Sequence, residues 1–166
     1  MSNEASLDDF LKVINEPTSA NYHDINYLTN QLFCADDPAR KVPGVGITDY
    51  GPQFIGKSEV VELFRQLFKS FPDLEMTEAR GAPRLFSEDD NTIGIQTTLS
   101  GMHAAEWFPR GHIYFSPPLS GIHPDKHHVM KVPACAVFTF DANNKICRLA
   151  IYLDRYRMMR QLTPAP

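Results

Sequence analysis

VVELFRQLFKSFPDLEMTEA, residues 60–79, contains the change of period that decides the fold. Val60, Val61, Phe64, Leu67, Phe68 and Phe71 recur at i, i+3, i+4 and i+7, which predicts an amphipathic helix from Lys57 or Ser58 to Ser70. Pro72 ends it. Beyond Pro72 the apolar period falls to two and stays there, so Leu74 to Ala79 reads as a strand.

Toward the N-terminus the pattern is helical. Leu7, Phe10, Leu11 and Ile14 predict a helix over 7–14, with Ser6 as its cap and Asp9 three residues on. A second helix is expected from about Ala20 to Cys34, stopped by Asp36-Asp37-Pro38. Residues 36–55 carry three prolines and three glycines between short apolar groups and read as an irregular loop with a strand near Val45 to Tyr50. Toward the C-terminus the pattern is β. Pro83 to Phe86 leads into a polar turn at Ser87 to Asn91, and strands are expected at Thr92 to Met102, Trp107 to Phe115, Met130 to Phe140 and Lys145 to Asp154. Pro133 marks an edge or bulge near the start of its strand. Asp141 to Asn144 is a hairpin turn, 116–128 a loop insertion, and Arg155 to Leu162 a short last helix. Helices followed by a run of antiparallel strands form the α+β pattern, in one domain over 1–166. A curved sheet wrapped by the helices around a cone-shaped pocket buries both sets.

Composition narrows the function. Sixteen Lys and Arg against twenty Asp and Glu give a net charge of −4, and no basic face is visible, which argues against nucleic acid. No segment approaches the roughly 18 apolar residues of a membrane span. The opening MSNEASLDDF lacks the charge and apolar run of a signal peptide, so the cytoplasm is expected. Cys34, Cys135 and Cys147 follow no metal-ligand spacing, and Cys135 and Cys147 read as buried thiols. Gly44-Val45-Gly46 is not framed as a dinucleotide fingerprint, and no G-x-S-x-G is present. His123, His127 and His128 lack a supporting carboxylate pattern, so neither a metal nor another cofactor is expected.

Three stretches carry a resemblance to the NTF2-like superfamily and, within it, to the SnoaL-like cyclases and isomerases. Phe54-Ile55-Gly56-Lys57, a helix and then Phe71-Pro72-Asp73 resemble that family's F-x-G, helix, F-P-D segment. Ser100-Gly101-Met102-His103, followed by Pro117-Pro118-Leu119-Ser120-Gly121, resembles a Gly, a His and then PPTG. Phe140 through Lys145-Ile146 to Asp154, ending at Gln161-Leu162, resembles the family's last turn, strand and QLG. The resemblance implies a bent mixed sheet, a deep pocket, a homodimer formed through the sheet, and cofactor-free acid–base chemistry by an Asp and a His. Those positions match Asp154 and His103. Leu119-Ser120 replaces the family's Thr-Gly step, and the segment between His103 and Pro117 is longer than the family's turn. Small fungal enzymes of meroterpenoid and polyketide pathways have this size and aromatic content.

The residues themselves point the same way. Asp154 shares strand parity with Ile146, Arg148, Ala150 and Tyr152, a mixed face suited to a pocket. A desolvated carboxylate there would be poised as a general acid or base. The alternative for Asp154 is an ion pair with a neighbouring arginine or a cap on the last helix. His103 shares parity with Ile93, Ile95, Thr97 and Leu99, an apolar side, and would polarise or protonate a carbonyl oxygen. Substrate-binding candidates are Glu59 at the pocket mouth, Arg40 and Tyr50 in the irregular segment, Tyr22 and Tyr27 on the second helix, Trp107 for stacking, and Arg148 and Tyr152 beside Asp154. The function expected is isomerisation or cyclisation of a polyketide- or terpenoid-derived carbonyl compound. The alternatives are a non-catalytic dimeric binding or adaptor protein, and an epoxide hydrolase or dehydratase of the same fold.

Overall fold

The computed structural model describes residues 2–36, 46–49, 53–105 and 128–162. The first helix, α1, spans Asn3–Asn15 and begins one turn earlier than expected. Ser2 is the cap, its Oγ accepting the Ala5 N–H at 3.2 Å, whereas Ser6 lies buried within the helix. Leu7, Phe10, Leu11 and Ile14 form its buried face, as their spacing requires. The second helix is much shorter than expected. Residues 17–23 are turns, and Asp24 caps a short α2 (Ile25–Tyr27) by accepting the N–H groups of Asn26 and Tyr27 at 2.8 and 3.1 Å. The chain then continues as one π-helical turn, Leu28–Leu32, in which the Thr29 hydroxyl donates back to Ile25 O.

The irregular segment yields β1 (Gly46–Asp49), within the expected stretch, and a further strand β2 (Gln53–Ile55). Helix α3 occupies Lys57–Ser70, as its period predicts. Its start is satisfied twice. Asp36 accepts the Lys57 N–H at 3.1 Å, and the Glu59 carboxylate reaches back to the Ile55 N–H at 2.9 Å. Five strands follow or flank the remaining turns: β3 (Glu75–Glu78), β4 (Leu85–Phe86), β5 (Thr92–Met102), β6 (Val129–Phe140) and β7 (Ile146–Leu153). Asp141 organises the last hairpin, its Oδ1 accepting the N–H groups of Asn143 and Lys145, both at 2.8 Å. Helix α4 (Arg155–Leu162) closes the described chain.

The described strands form one sheet in the order β2-β1-β7-β6-β5-β3, with β4 also pairing β5. Every pairing is antiparallel except β1 with β7. The result is an α+β arrangement, one mainly antiparallel sheet with helices over one face. On that face Ile93, Ile95, Leu99, Val132, Phe138 and Leu149 are buried. Phe10 of α1 stands edge-on to Phe138 of β6 at 5.3 Å and to Phe64 of α3 at 6.2 Å, which joins both helices to the sheet. Gln96, Met102, Lys131, Arg148 and Tyr152 lie exposed on the opposite face.

Two side-chain amides complete strands that have run out of neighbours. Asn15, at the end of α1, accepts the Met76 N–H at 2.7 Å and donates to Met76 O at 2.9 Å. Gln161 of α4 treats Lys131 in the same way, at 2.8 and 3.0 Å. The second clamp explains Pro133. Strand β7 ends at Leu153, opposite Ala134, so residues 129–133 of β6 have no strand on that side. By the two-residue period Pro133 faces the same way as Lys131, and its missing N–H falls where no strand partner waits.

Cys147 is not a free thiol. The Phe33 backbone bridges Ile146, and the Cys34 N–H donates to Ile146 O at 3.0 Å, which lays Cys34 beside the start of β7. Cys34 and Cys147 are joined as a disulfide, with Cα atoms 5.0 Å apart across 113 residues of sequence. Cys135 is free. Among the described residues no helix is long and apolar enough to cross a membrane.

Candidate active site

His103 follows directly on β5 and is 1% exposed. Its position is set from two sides. The ladder places Met102 opposite Val129, so His103 and His128 are the next pair, and the His103 N–H donates to His128 O at 2.9 Å. From the other side the turn after α3 packs against the same residues. Asp73 accepts the Met102 N–H at 2.6 Å, the Ala104 N–H donates to Ser70 O at 2.8 Å, and the Phe71 ring lies 5.4 Å from the imidazole. Gly101 permits this approach, because a Cβ there would stand 3.2 Å from Phe71 Cβ and 3.4 Å from Leu74 Cα. Two of the stretches that carry the family resemblance, Phe71-Pro72-Asp73 and Ser100 to His103, thus pack directly on each other.

The imidazole Nδ1 is buried and has no hydrogen-bond partner among the described residues. An orphaned buried polar atom costs about 1–3 kcal/mol and is uncommon in native proteins, which singles this imidazole out among the described histidines. Burial pushes the His103 pKa below the ordinary histidine value. A backbone hydrogen bond with Ala105 works against this shift, and neighbouring His128 adds to it. The ring is therefore neutral at neutral pH, able to accept a proton at one nitrogen and donate from the other.

Asp154 stands elsewhere. It is exposed, and its Oδ1 accepts the Arg157 N–H at 2.9 Å while its main-chain oxygen accepts the Met158 N–H at 3.0 Å. This is an N-cap of α4. The expectation of a desolvated carboxylate in the pocket is corrected accordingly. Strand parity holds from Arg148 to Leu153, but a bulge at Cys147 turns Ile146 to the core side opposite Phe140; Leu149, Ile151 and Leu153 meet the helices, which leaves Arg148, Tyr152 and Asp154 on the outer face. Register also separates the supposed pair. Leu153 aligns through Ala134 with Thr97, six residues and two strand spacings from His103, or roughly 20 Å. Asp154 instead lines a surface cleft with Tyr156, Arg157, Arg160 and Gln161.

The other candidates divide. Glu59 is engaged with the Ile55 N–H at the start of α3, not held free at a pocket mouth. The Tyr22 hydroxyl donates to Pro72 O at 3.3 Å, and burial, with Asp73 and Glu75 nearby, pushes its phenol pKa up. Its ring stacks on His23 at 3.8 Å, and His23 stacks in turn on Phe68 at 3.9 Å. Tyr27 is half-buried and packs against the core. Arg40, Tyr50 and Trp107, and the strand expected at Trp107 to Phe115, lie outside the described residues. Sequence reasoning placed His128 in an exposed loop; it is half-buried beside His103. Antiparallel extension of the β5–β6 ladder was the signal that pairs them.

No protein-family profile matches the sequence. No curated protein matches it either. Solved structures do. A SnoaL-like polyketide cyclase from Agrobacterium tumefaciens is similar over 98% of this chain and 99% of its own, with a TM-score of 0.60 at 15% identity. A phenazine biosynthesis-related protein from Pseudomonas aeruginosa is similar over 99% and 87%, with a TM-score of 0.62 at 15% identity. The epoxide hydrolase/cyclase-like enzyme SalBIII, with a role in pyran ring formation in the polyether salinomycin, is similar over 93% and 92%, with a TM-score of 0.62 at 11% identity. The fold is that of the SnoaL-like, NTF2-like proteins, along essentially the whole chain.

Proposed function

We propose that the protein is a cofactor-free isomerase or cyclase acting on a polyketide- or terpenoid-derived carbonyl compound of secondary metabolism, with His103 as its catalytic residue. The observation that carries this reading is the buried, unpartnered Nδ1 of His103 at the end of β5. A neutral imidazole in an apolar setting takes the proton from a carbon next to a carbonyl, and returns it elsewhere on the enolate as the double bond moves or the ring closes. Phe71 beside the ring helps exclude water and keeps the imidazole neutral. Asp154 has no part in this step, since it caps α4 on the outer face. His128, paired with His103 across the ladder, lowers its pKa further. The protein is proposed to act in the cytoplasm as a homodimer formed through the outer face of the sheet.

Exchange of carbon-bound hydrogen for deuterium, followed by NMR on a panel of cyclic β-dicarbonyl compounds, tests the chemistry. The wild-type chain should accelerate exchange and His103→Gln should lower it at least about a hundredfold, the usual scale of general-base catalysis, with the melting temperature little changed. Because the His103 pKa is lowered, the rate should hold through neutral pH and fall only once the pH drops below the ordinary histidine range. Full exchange in His103→Gln would sink the reading. An epoxide-opening reaction, suggested by the fold shared with SalBIII, would use the same imidazole to activate water and predicts incorporation of solvent oxygen instead.

A further inference from the structure

A second cluster lies at the opposite end of the β5–β6 ladder, roughly 36 Å from His103 by strand rise. Here Cys34, Cys147 and Asp141 each bring one ligand atom to within 4.8 Å of the others. Two stretches of chain meet to make it, the segment after the π-helical turn and the β6–β7 hairpin. Cys34 is held by its N–H bond to Ile146 O, Cys147 lies in β7, and Asp141 is oriented by the two turn N–H groups it accepts. Cys34 is buried while Cys147 and Asp141 are half-buried, so small ions reach the cluster from one side.

In the structure the two sulfurs are joined, and the neutral disulfide makes no electrostatic use of the Asp141 carboxylate, which holds the hairpin turn. Nor does the carboxylate favour thiol attack, since a neighbouring negative charge opposes the thiolate. Once reduced, the two sulfurs stay protonated beside the carboxylate, and a divalent cation is the partner that lets both ionise by compensating three adjacent negative groups. We propose that, when the disulfide is reduced, Cys34, Cys147 and Asp141 bind one thiophilic divalent cation of the zinc class, leaving a fourth position to water. Two soft sulfurs with one oxygen favour zinc over magnesium or calcium, which require oxygen shells. Binding displaces the two thiol protons and transfers no electrons. Opening the disulfide beforehand takes two electrons and two protons from two molecules of a low-molecular-weight thiol, which leave joined as one disulfide. The cluster thus has two exclusive states, a covalent clasp and a metal clasp, both fastening the same segment after the π-helical turn to β7.

The test uses the full chain, reduced with a phosphine and then freed of it, with cadmium ion alone as probe. The ultraviolet thiolate-to-cadmium charge-transfer band should saturate at one ion per chain and be reversed by zinc. Cys34→Ser and, independently, Cys147→Ala should abolish it, and Cys135→Ser should leave it intact. Asp141→Asn, which retains an oxygen for the turn, should keep the band and weaken binding at least about tenfold, as loss of a charged ligand implies. The diamide-oxidised chain should show no band. A reduced chain without a one-to-one band, a band surviving Cys34→Ser, or unchanged affinity in Asp141→Asn would overturn the proposal.

Discussion

Asp154 and His103 are both polar residues at the end of a strand, and they differ in what lies over them. Nothing in the helical layer covers Asp154, so its carboxylate is free to bond the Arg157 N–H. His103 lies beneath the turn that follows α3, and its Nδ1 is left without a partner. The alternation of apolar and polar residues in β7 was legible. Which face the helices cover was not, because Ile146 and Ala150 sit among the polar set and Cys147 among the apolar one. A clean substitution separates the two roles open to Asp154. Asp154→Ala should destabilise by about 0.5–2 kcal/mol through loss of the cap, whereas Asp154→Asn should leave stability nearly unchanged because Asn caps as well as Asp. For a chain of this size the first change lowers the melting temperature by roughly 2–4 °C per kcal/mol. Both variants should retain full deuterium exchange; loss of turnover in Asp154→Asn with an unchanged melt would restore the carboxylate to the chemistry.

At the scale of elements, agreement tracks how local the determining forces are. Helix α3, strand β5 and helix α4 form over the stretches their periods mark, since each carries a strong pattern bounded by Pro72, a polar turn or Asp154. The second helix failed because its spacing is set by packing. Asp24 restarts the chain, and the π turn swings Phe33 toward Phe64, 5.8 Å away. No local propensity encodes such a turn. The amide clamps were equally invisible, since a glutamine's partner 30 residues distant has no sequence signature. Gln161→Ala should expose both main-chain groups of Lys131, lowering stability by about 1–2 kcal/mol. In hydrogen-exchange NMR the Lys131 amide should lose protection while that of Met76, clamped by Asn15, keeps it. Equal protection in both would remove the clamp from the account of how β6 is terminated.

At the scale of the whole molecule, the described helices cover one face of the sheet and no described element covers the other. Met102 and Val129, directly opposite in register, are 39% and 57% exposed on or beside that open face, and Tyr152 is 44% exposed. Apolar side chains concentrated there suit a self-complementary contact between two copies. Val129→Lys should therefore halve the mass seen in sedimentation without shifting the melting profile by more than a few degrees; a wild-type chain that sediments as a monomer at micromolar concentration would exclude the sheet dimer. The order of the strands has a separate consequence. Strand β7 is the last of the described strands in sequence, yet it lies between β1 and β6, bonding in parallel to a segment about a hundred residues earlier. During synthesis the centre of the sheet therefore stays split until residues 146–153 have left the ribosome, and two raw strand borders wait for the same latecomer. A nascent chain halted before Ile146 is consequently the form in most need of a chaperone.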